Sequence, residues 1–435
     1  MHAGGYRLVR RASGLNLGGR GLGVLKGMRV VEGSAFVAVP LAGMTLAQMG
    51  ADVIRFDRLQ GGLDARRWPV TDRGASLFWA GMNKGKRSLA VDLGHPEGQE
   101  IVTSLICAPG EDAGLFLTNL RARGWMDYPA LQARRADLIM VSLTGTRRGE
   151  PAVDYTVNPS LGFPMATGAE GSAEPVAHVL PAWDCIAGQM VVSALLAAER
   201  HRLRSGQGQL AELSLKDVAA AMMGHLGIVG EVTVNGVDRA KVGNALYGAY
   251  GQDFTLACGR RVMVIGLTDR QWRGLVKVLG LEQDIAGLGA RMALDLSLEG
   301  NRWAARHEIS ALFRPWFTAR TLAEVAPLFD AAGLTWSVFR SFAQAVAEDP
   351  DLSSDNPIFR LLDQPGIGCL PVPGSPVSFG AFDRLAPAPA PVLGQHTEAI
   401  LSDVLGLGSG QIGRLMDLGV VAGAEGRGGG GVRPR

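Results

Sequence analysis

The sequence predicts an α/β fold in which helices cover a parallel sheet and a smaller α+β domain is inserted into the larger one. Short apolar runs alternate with helical patterns from about residue 28 to residue 143, which is typical of parallel strands joined by helices. After about residue 230 turn residues crowd together, which indicates the inserted domain. With 435 residues, 47% of them hydrophobic, the chain has room for two or three cores.

The first elements form one βαβ unit. Residues 28–32 predict a buried strand, and Pro40 suits the first turn of a helix that runs to about Met49. Gly50 is expected to end that helix, because glycine adopts the left-handed conformation that follows many helices without strain. Residues 52–56 are the next buried strand, so the sheet begins with two parallel strands joined by a helix.

Further elements extend both domains. A long, almost wholly apolar helix from about Asp184 to Arg200 is expected to be buried on most sides. The other elements predicted for the large domain are strands at residues 88–93, 114–117, 138–143 and 209–215 and a helix at residues 98–106. The elements predicted beyond them are a strand at residues 261–267, helices near residues 270–279 and 304–317, and a strand at residues 336–339 where βα alternation resumes.

Both ends of the chain have the composition of segments without a core. Residues 1–24 hold arginines and many glycines but no acid, which predicts a flexible extension or, alternatively, an amphipathic targeting sequence. The glycine-rich run after residue 424 is of low complexity. The predicted division is therefore a flexible extension (1–24), the large domain's first part (25–228), a small domain (229–320), the large domain's second part (321–421) and a disordered tail (422–435).

Composition excludes several classes of protein. The 43 basic and 41 acidic residues give a formal charge of +2, too little for general nucleic-acid binding. The uncharged stretch at residues 33–51 is interrupted by Pro40 and Gln48, so we expect no membrane span. The four cysteines lie far apart and the seven histidines show no metal-binding spacing. We therefore expect a cytoplasmic protein without a metal.

The loop after the first strand resembles a nucleotide site without the dinucleotide pattern. Its residues 33–38 are not Gly-x-Gly-x-x-Gly, and Phe36 and Val37 would fill the space that a pyrophosphate needs. Asp57 follows the second strand, where a ribose-binding acid is expected, and Arg58 beside it adds a cation suited to phosphate or adenine. The alternative is that Arg58 is a solvated charge at the end of a strand.

A second basic segment precedes the next strand. Lys84, Lys86 and Arg87 stand at a loop exit, where cations offer strong donors to an anionic oxygen. A short run of charges is also typical of a solvated surface. The neighbouring βαβ unit favours a phosphorylated ligand.

Asp184 is the candidate catalytic residue, because it stands where the apolar helix begins. An aspartate at that place is usually an N-cap that accepts hydrogen bonds from free backbone N–H groups. The helix is so apolar that its start is expected inside the protein, and Gly188 leaves a gap one turn further on where a substrate would approach. An ionised carboxylate there is a competent nucleophile.

Motifs along the chain resemble CoA-transferase family III. The resemblance begins with the run Leu-Lys-Gly-Met-Arg-Val-Val at residues 25–31 and extends to about residue 421. It is carried further by the runs at residues 46–58, 86–88, 96–98, 206–209 and 393–398 and by Asp184 with Gly188. Four more runs, at residues 33–38, 67–71, 77–81 and 154–159, resemble a subgroup that moves CoA within one diacid.

This resemblance implies a Rossmann-like large domain, a small domain and a homodimer of two interlocked, ring-like subunits. It implies that Asp184 is the nucleophile and that the substrate is an acyl-CoA, with coenzyme A as part of the substrate and no permanently bound cofactor. It also implies that CoA contacts fall on Val37, Ala38, Arg58, Lys86 and Asn119. The glycine-rich loop of relatives that use a separate acceptor has no clear match in this chain.

Three alternatives remain beside transfer within one molecule. They are a transferase between two different acids, an acyl-CoA racemase, and an acyl-CoA-binding scaffold without activity. A racemase of this family needs a histidine just before the position of Asp154, where this chain has Val153. A scaffold that only binds would not need Asp184.

Overall fold

The strands predicted near the start of the chain form the centre of a seven-stranded sheet in the computed structural model, which describes residues 23–424. The strand order is β12-β3-β2-β1-β4-β5-β6, and only β12, at one edge, is shown antiparallel to its neighbour. The mixed α/β fold with a mostly parallel sheet confirms the predicted class. The strands of this sheet are β1 Arg29–Gly33, β2 Asp52–Asp57, β3 Arg87–Val91, β4 Leu115–Thr118, β5 Ile139–Thr144, β6 Gln209–Ser214 and β12 Val421–Ala422.

The described chain divides into two compact units. The first comprises residues 23–143, 188–212 and 354–424, and the second comprises residues 144–187 and 213–353. The predicted extension and tail lie outside the described residues except for residues 23–24 and 422–424.

Apolar strands buried on both faces form the core of the first unit. Residues of β1, β2, β4 and β5 pack with helices on either side, and the rings of Phe56 and Phe116 stack with centroids 6.3 Å apart. Gly33 is the last residue of β1, and a side chain is excluded there because a Cβ would lie 2.3 Å from the Phe56 ring. The helices and remaining strands of this unit are α1 Ala38–Gln48, α2 Leu77–Met82, α3 Pro96–Ile106, α4 Tyr128–Arg134, α16 Thr397–Asp403, α17 Ser409–Asp417, β10 Phe359–Gln364 and β11 Gly368–Pro373.

A three-stranded antiparallel sheet, in the order β7-β8-β9, forms the second unit together with helices. Aromatic rings dominate its core, where Phe254 and Phe317 stack at 4.2 Å. The strands are β7 Tyr250–Thr255, β8 Arg261–Gly266 and β9 Thr335–Val338. The helices are α5 Asp154–Ser160, α6 Phe163–Ala166, α8 Leu215–His225, α9 Ile228–Asn235, α10 Asp269–Leu279, α11 Glu282–Met292, α12 Glu299–Ala304, α13 Arg306–Thr318, α14 Leu322–Ala331 and α15 Phe342–Glu348. Helix α7, Ala182–Ser205, begins in this unit and continues in the first.

Several local predictions differ from the structure. The strand expected at residues 336–339 pairs with β8, and the chain clusters with the second unit as far as Ser353, whereas the large domain was expected to resume at residue 321. Strand β7 lies in a stretch whose glycines and asparagines predicted only turns. Helix α1 begins at Ala38, two residues before the predicted first turn at Pro40.

Length and apolar composition decide whether a helix can cross a membrane. Within residues 23–424 none qualifies singly, and the bent pair α8 and α9, at 60° to each other, qualifies only when its two members are joined.

Candidate active site

The loop after β1 lies at the switch point of the sheet. Strand β1 pairs with β2 on one side and β4 on the other, so the chain leaves β1 where ligands bind in open α/β sheets. Asn119 follows β4 and holds this loop through Ala35. Its Nδ2 donates to the Ala35 carbonyl oxygen at 2.8 Å, and its Oδ1 accepts from the Ala35 N–H at 2.9 Å. The structure therefore brings Asn119 together with the loop that precedes Val37 and Ala38.

Val37 and Ala38 offer backbone groups to a ligand. Both side chains are buried, and Ala38 is the first residue of α1. No side chain caps this helix among the described contacts, and no acid stands in its first turn. Phe36, just before them, has a φ of 65°, a left-handed conformation that is rare for an aromatic residue. The N–H groups at the start of α1 are suited to an anionic oxygen.

Lys86 belongs to a buried network of charges beneath this loop. Its Nζ donates to Glu32 Oε1 at 2.8 Å, to the Pro40 carbonyl oxygen at 2.8 Å and to Asn83 Oδ1 at 3.0 Å. Three bonds match the three donors of an ammonium group. Burial lowers the pKa of Lys86 to about 8, and Glu32 only partly offsets this shift. Lys86 thus ties the end of β1 to the first turn of α1.

Arg55 is the second cation of this network. It lies opposite Glu32 in the register of β1 and β2, and its guanidinium contacts Asp57 at 2.9 Å and Asp64 at 2.9 Å. Burial alone would lower the pKa of Arg55, but these carboxylates more than offset burial and raise it. Arg58, three residues further on, is exposed at the end of β2. The sequence offered one signal for the network, because Glu32 in β1 and Arg55 in β2 are each flanked by apolar residues or glycine within a buried strand.

Asp184 lies in the second unit as the third residue of α7, and it is partly buried. The cap of this helix is Asp154, from the start of α5. Its Oδ2 accepts from the N–H of Trp183 at 2.8 Å and from the N–H of Asp184 at 3.2 Å. Asp184 is not at the N-cap position, because α7 begins two residues earlier at Ala182, and Asp154 accepts hydrogen bonds from the backbone of that first turn. Sequence analysis had not assigned this role to Asp154.

The other oxygen of Asp154 faces His178. The Oδ1 atom lies 3.6 Å from His178 Nε2, and neither atom has a hydrogen-bond partner among the described residues. Trp183 is fixed as well, because its Nε1 donates to Asn158 Oδ1 at 3.2 Å. The start of α7 is thus held by polar side chains from α5.

Cys185 is the other nucleophilic side chain at the start of α7. Burial, followed by the charges of Asp184 and Asp154, raises the pKa of the Cys185 thiol. A protonated thiol is a poor nucleophile. The carboxylate of Asp184 is therefore the better nucleophile of this neighbouring pair at neutral pH.

Gly188 serves the packing of helices. A Cβ at Gly188 would lie 2.6 Å from the Ala38 carbonyl oxygen and 3.3 Å from Leu41 Cδ2. The gap expected there for a substrate is filled by α1, so that expectation is wrong. The glycine instead lets α7 approach the backbone of α1 closely within the first unit.

Comparisons with known proteins place the chain in a family. The profile of CoA-transferase family III matches residues 25–397. The chain is 58% identical over 404 residues to 2-methylfumaryl-CoA isomerase from Chloroflexus aurantiacus, across 93% of this chain and 99% of that protein. It is 28% identical to succinate–glutarate CoA-transferase from Agrobacterium fabrum, across 87% of this chain and 95% of that protein. The structure of a CAIB/BAIF family protein from Brucella suis shares the fold, with a TM-score of 0.71 and 24% identity. The match covers 88% of this chain and 100% of that one.

The chain therefore belongs to CoA-transferase family III, as its motifs predicted. The runs at residues 33–38, 67–71, 77–81 and 154–159 also predicted a likeness to 2-methylfumaryl-CoA isomerase, which the 58% identity confirms. Across residues 23–424, no group of three or more His, Cys, Asp or Glu side chains is arranged to hold a metal ion.

Proposed function

We propose that this enzyme converts 2-methylfumaryl-CoA to 3-methylfumaryl-CoA by moving CoA from C1 to C4 of the same diacid. The observation that carries this proposal is the 58% identity to the Chloroflexus isomerase over 93% of the chain. The identity to a transferase between two different acids is 28%.

Asp184 is the proposed nucleophile of the first half-reaction. Its carboxylate attacks the C1 thioester carbonyl, the C–S bond breaks, and CoA leaves as a thiolate. This step produces a mixed anhydride between Asp184 and the diacid. The thiolate then attacks the aspartyl carbonyl and the anhydride C–O bond breaks. The products are an aspartyl-CoA thioester and a free diacid. The position of Asp184 in the first turn of α7 favours its carboxylate form.

The second half-reaction runs these steps in reverse at C4. The C4 carboxylate attacks the aspartyl carbonyl and expels the CoA thiolate, which forms a second mixed anhydride. The thiolate attacks the C4 carbonyl, the anhydride breaks, and the carboxylate of Asp184 is regenerated. No net proton or water is consumed, and one activated acyl bond, on the diacid or on Asp184, is kept at every stage, so no ATP is needed. Water must be excluded while the activated species exist.

The proposed CoA contacts lie in the first unit. Val37 and Ala38 offer backbone N–H groups, and Arg58 offers an exposed guanidinium. Asn119 and Lys86 support the same loop, since Asn119 bonds Ala35 and Lys86 bonds the Pro40 carbonyl. Their proposed role is therefore to hold the backbone that meets CoA. No permanently bound cofactor is proposed.

The proposed assembly is a homodimer of interlocked subunits in the cytoplasm. Large apolar side chains of the second unit are exposed, including Val234 at 83% and Phe342 at 86%, which favours a partner surface. All four cysteines are unpaired, which is typical of a reducing compartment. Light scattering of the purified protein would measure the mass of the assembly.

Incubation with 2-methylfumaryl-CoA alone tests the function. We expect chromatography to show conversion of the C1 thioester to the C4 thioester without an added acid. Strict dependence on an added acid would instead favour transfer between molecules. We expect Asp184→Asn to abolish turnover and leave CoA binding within about twofold, because the side chain keeps its shape but loses its nucleophilic charge. Asp217→Asn is the matched control, since Asp217 is the third residue of α8.

A further inference from the structure

We propose that Arg67 binds the carboxylate of the diacyl substrate that is not joined to CoA, an inference that rests on the proposed function. A dicarboxylic thioester carries one free carboxylate, which a thioester of a monoacid lacks. A guanidinium recognises a carboxylate through two parallel N–H donors. Arg67 would therefore set the preference for diacids.

Two aromatic rings hold the Arg67 guanidinium. Its Cζ lies 5.5 Å from the centroid of the Phe36 ring and 5.3 Å from that of the Phe78 ring. Contacts of this kind orient the guanidinium without neutralising its charge. Phe36 belongs to the loop between β1 and α1, so the cation lies beside the proposed CoA-binding backbone.

The backbone of Arg67 is fixed on both sides. Its N–H donates to the Asp64 carbonyl oxygen at 3.2 Å, and its carbonyl oxygen accepts from Ser76 Oγ at 2.6 Å. Ser76 is the N-cap of α2, which carries Phe78. The exposed guanidinium therefore extends from an anchored backbone, which reduces the entropy lost when it binds an anion.

Three other cations of the first unit already have carboxylate partners. Arg55 contacts Asp57 and Asp64, Lys86 contacts Glu32 at 2.8 Å, and Arg87 contacts Asp52. Among the ion pairs described within this unit, none involves Arg67. Its donors are thus available to a substrate anion.

This contact would also retain the diacid during the reaction. The mixed anhydride breaks when CoA moves to the aspartyl group, and the diacid then has no covalent link to the enzyme. The free diacid has two carboxylates, so it can pair with Arg67 through C1 and stay in place while its C4 carboxylate attacks. Arg67 is therefore proposed to favour transfer within one molecule over exchange with free acid.

Arg67→Met tests this role, and Arg66→Met is the matched control because Arg66 is the exposed neighbour without a described ring contact. We expect Arg67→Met to raise KM for 2-methylfumaryl-CoA at least about tenfold, the effect of losing one charged hydrogen bond. The Kd of crotonyl-CoA, measured by calorimetry, should change less than about twofold, because this thioester has no second carboxylate. Isotope-labelled 2-methylfumarate should enter the thioester pool with the variant, and far less with the wild type.

Two results would overturn the proposal. One is a KM for Arg67→Met equal to that of Arg66→Met. The other is an equal weakening of the binding of 2-methylfumaryl-CoA and of crotonyl-CoA. That result would mean that Arg67 supports the loop or contacts CoA itself. Failure of the wild type to isomerise 2-methylfumaryl-CoA is a separate outcome, because it would refute the proposed function before Arg67 is changed.

Discussion

Asp154 holds the start of the helix that carries Asp184, and its replacement is the most direct test of the candidate site. Asp154 is 1% exposed, and its carboxylate accepts from the N–H groups of Trp183 and Asp184 at 2.8 and 3.2 Å. Asp154→Ala removes the acceptor and leaves two N–H groups at a partly buried helix end without it. Asp154→Asn keeps a carbonyl acceptor but loses the charge.

The structure sets the expected magnitudes. Replacing an N-cap by alanine costs about 0.5–2 kcal/mol, and hydrogen bonds to a charged group contribute about 1.5–3 kcal/mol each. Because the two bonds share one carboxylate, we expect Asp154→Ala to lower the free energy of unfolding by about 3 kcal/mol. For Asp154→Asn we expect about 1 kcal/mol, the helix-dipole contribution of the charge.

Urea unfolding and steady-state kinetics provide the assay. We expect kcat to fall about 100-fold in Asp154→Ala, since a small displacement of a catalytic group has an effect of that size. The control is Asp127→Ala, in which an aspartate that caps α4 through the Ala130 N–H at 2.9 Å is removed. That helix carries no candidate site residue. The control should lose about 1 kcal/mol of stability and keep kcat.

An unchanged kcat in Asp154→Ala, with the modest stability loss of the control, would refute this reasoning. If kcat falls equally in Asp154→Ala and Asp154→Asn, the charge of Asp154 is responsible. If kcat falls in Asp154→Ala but recovers in Asp154→Asn, the geometry of the hydrogen-bond acceptor is responsible.

Two further predictions concern stability. Gly188→Ala should lower the free energy of unfolding in urea by about 1–3 kcal/mol, because its Cβ would lie 2.6 Å from a backbone oxygen. Gly224 has open space around it, so Gly224→Ala should be neutral or stabilising. Equal effects of the two substitutions would contradict this. Burial lowers the pKa of Lys84 from 10.5 to about 8, so the folded state loses this proton before the unfolded state and stability should rise between pH 8 and 10.5. Lys84→Met should therefore gain up to about 3 kcal/mol at pH 7 and little above pH 10.5; a gain independent of pH would contradict this.

Hydrophobic periodicity and the residues that end helices and strands predicted most elements of the sheet. The strand predicted at residues 52–56 is β2, Asp52–Asp57, and the helix predicted at residues 98–106 is part of α3, Pro96–Ile106. These elements bury continuous apolar runs, and their limits are set by local residues such as Gly50. Strand β7 could not be found in this way, because its pairing with β8 overrides a sequence rich in turn residues.

The chain alone also marked Asp184, because a lone acid before a long apolar run stands out without any structure. The partner that caps its helix, Asp154, comes from 30 residues earlier in the chain, and no local pattern links the two. Likewise, Glu32 and Arg55 meet only because the parallel register of β1 and β2 sets them opposite each other. Local residues determined most of the elements and marked the proposed nucleophile. Tertiary structure decided which charges are buried together, since the desolvation of a charge is offset only by partners that folding brings near.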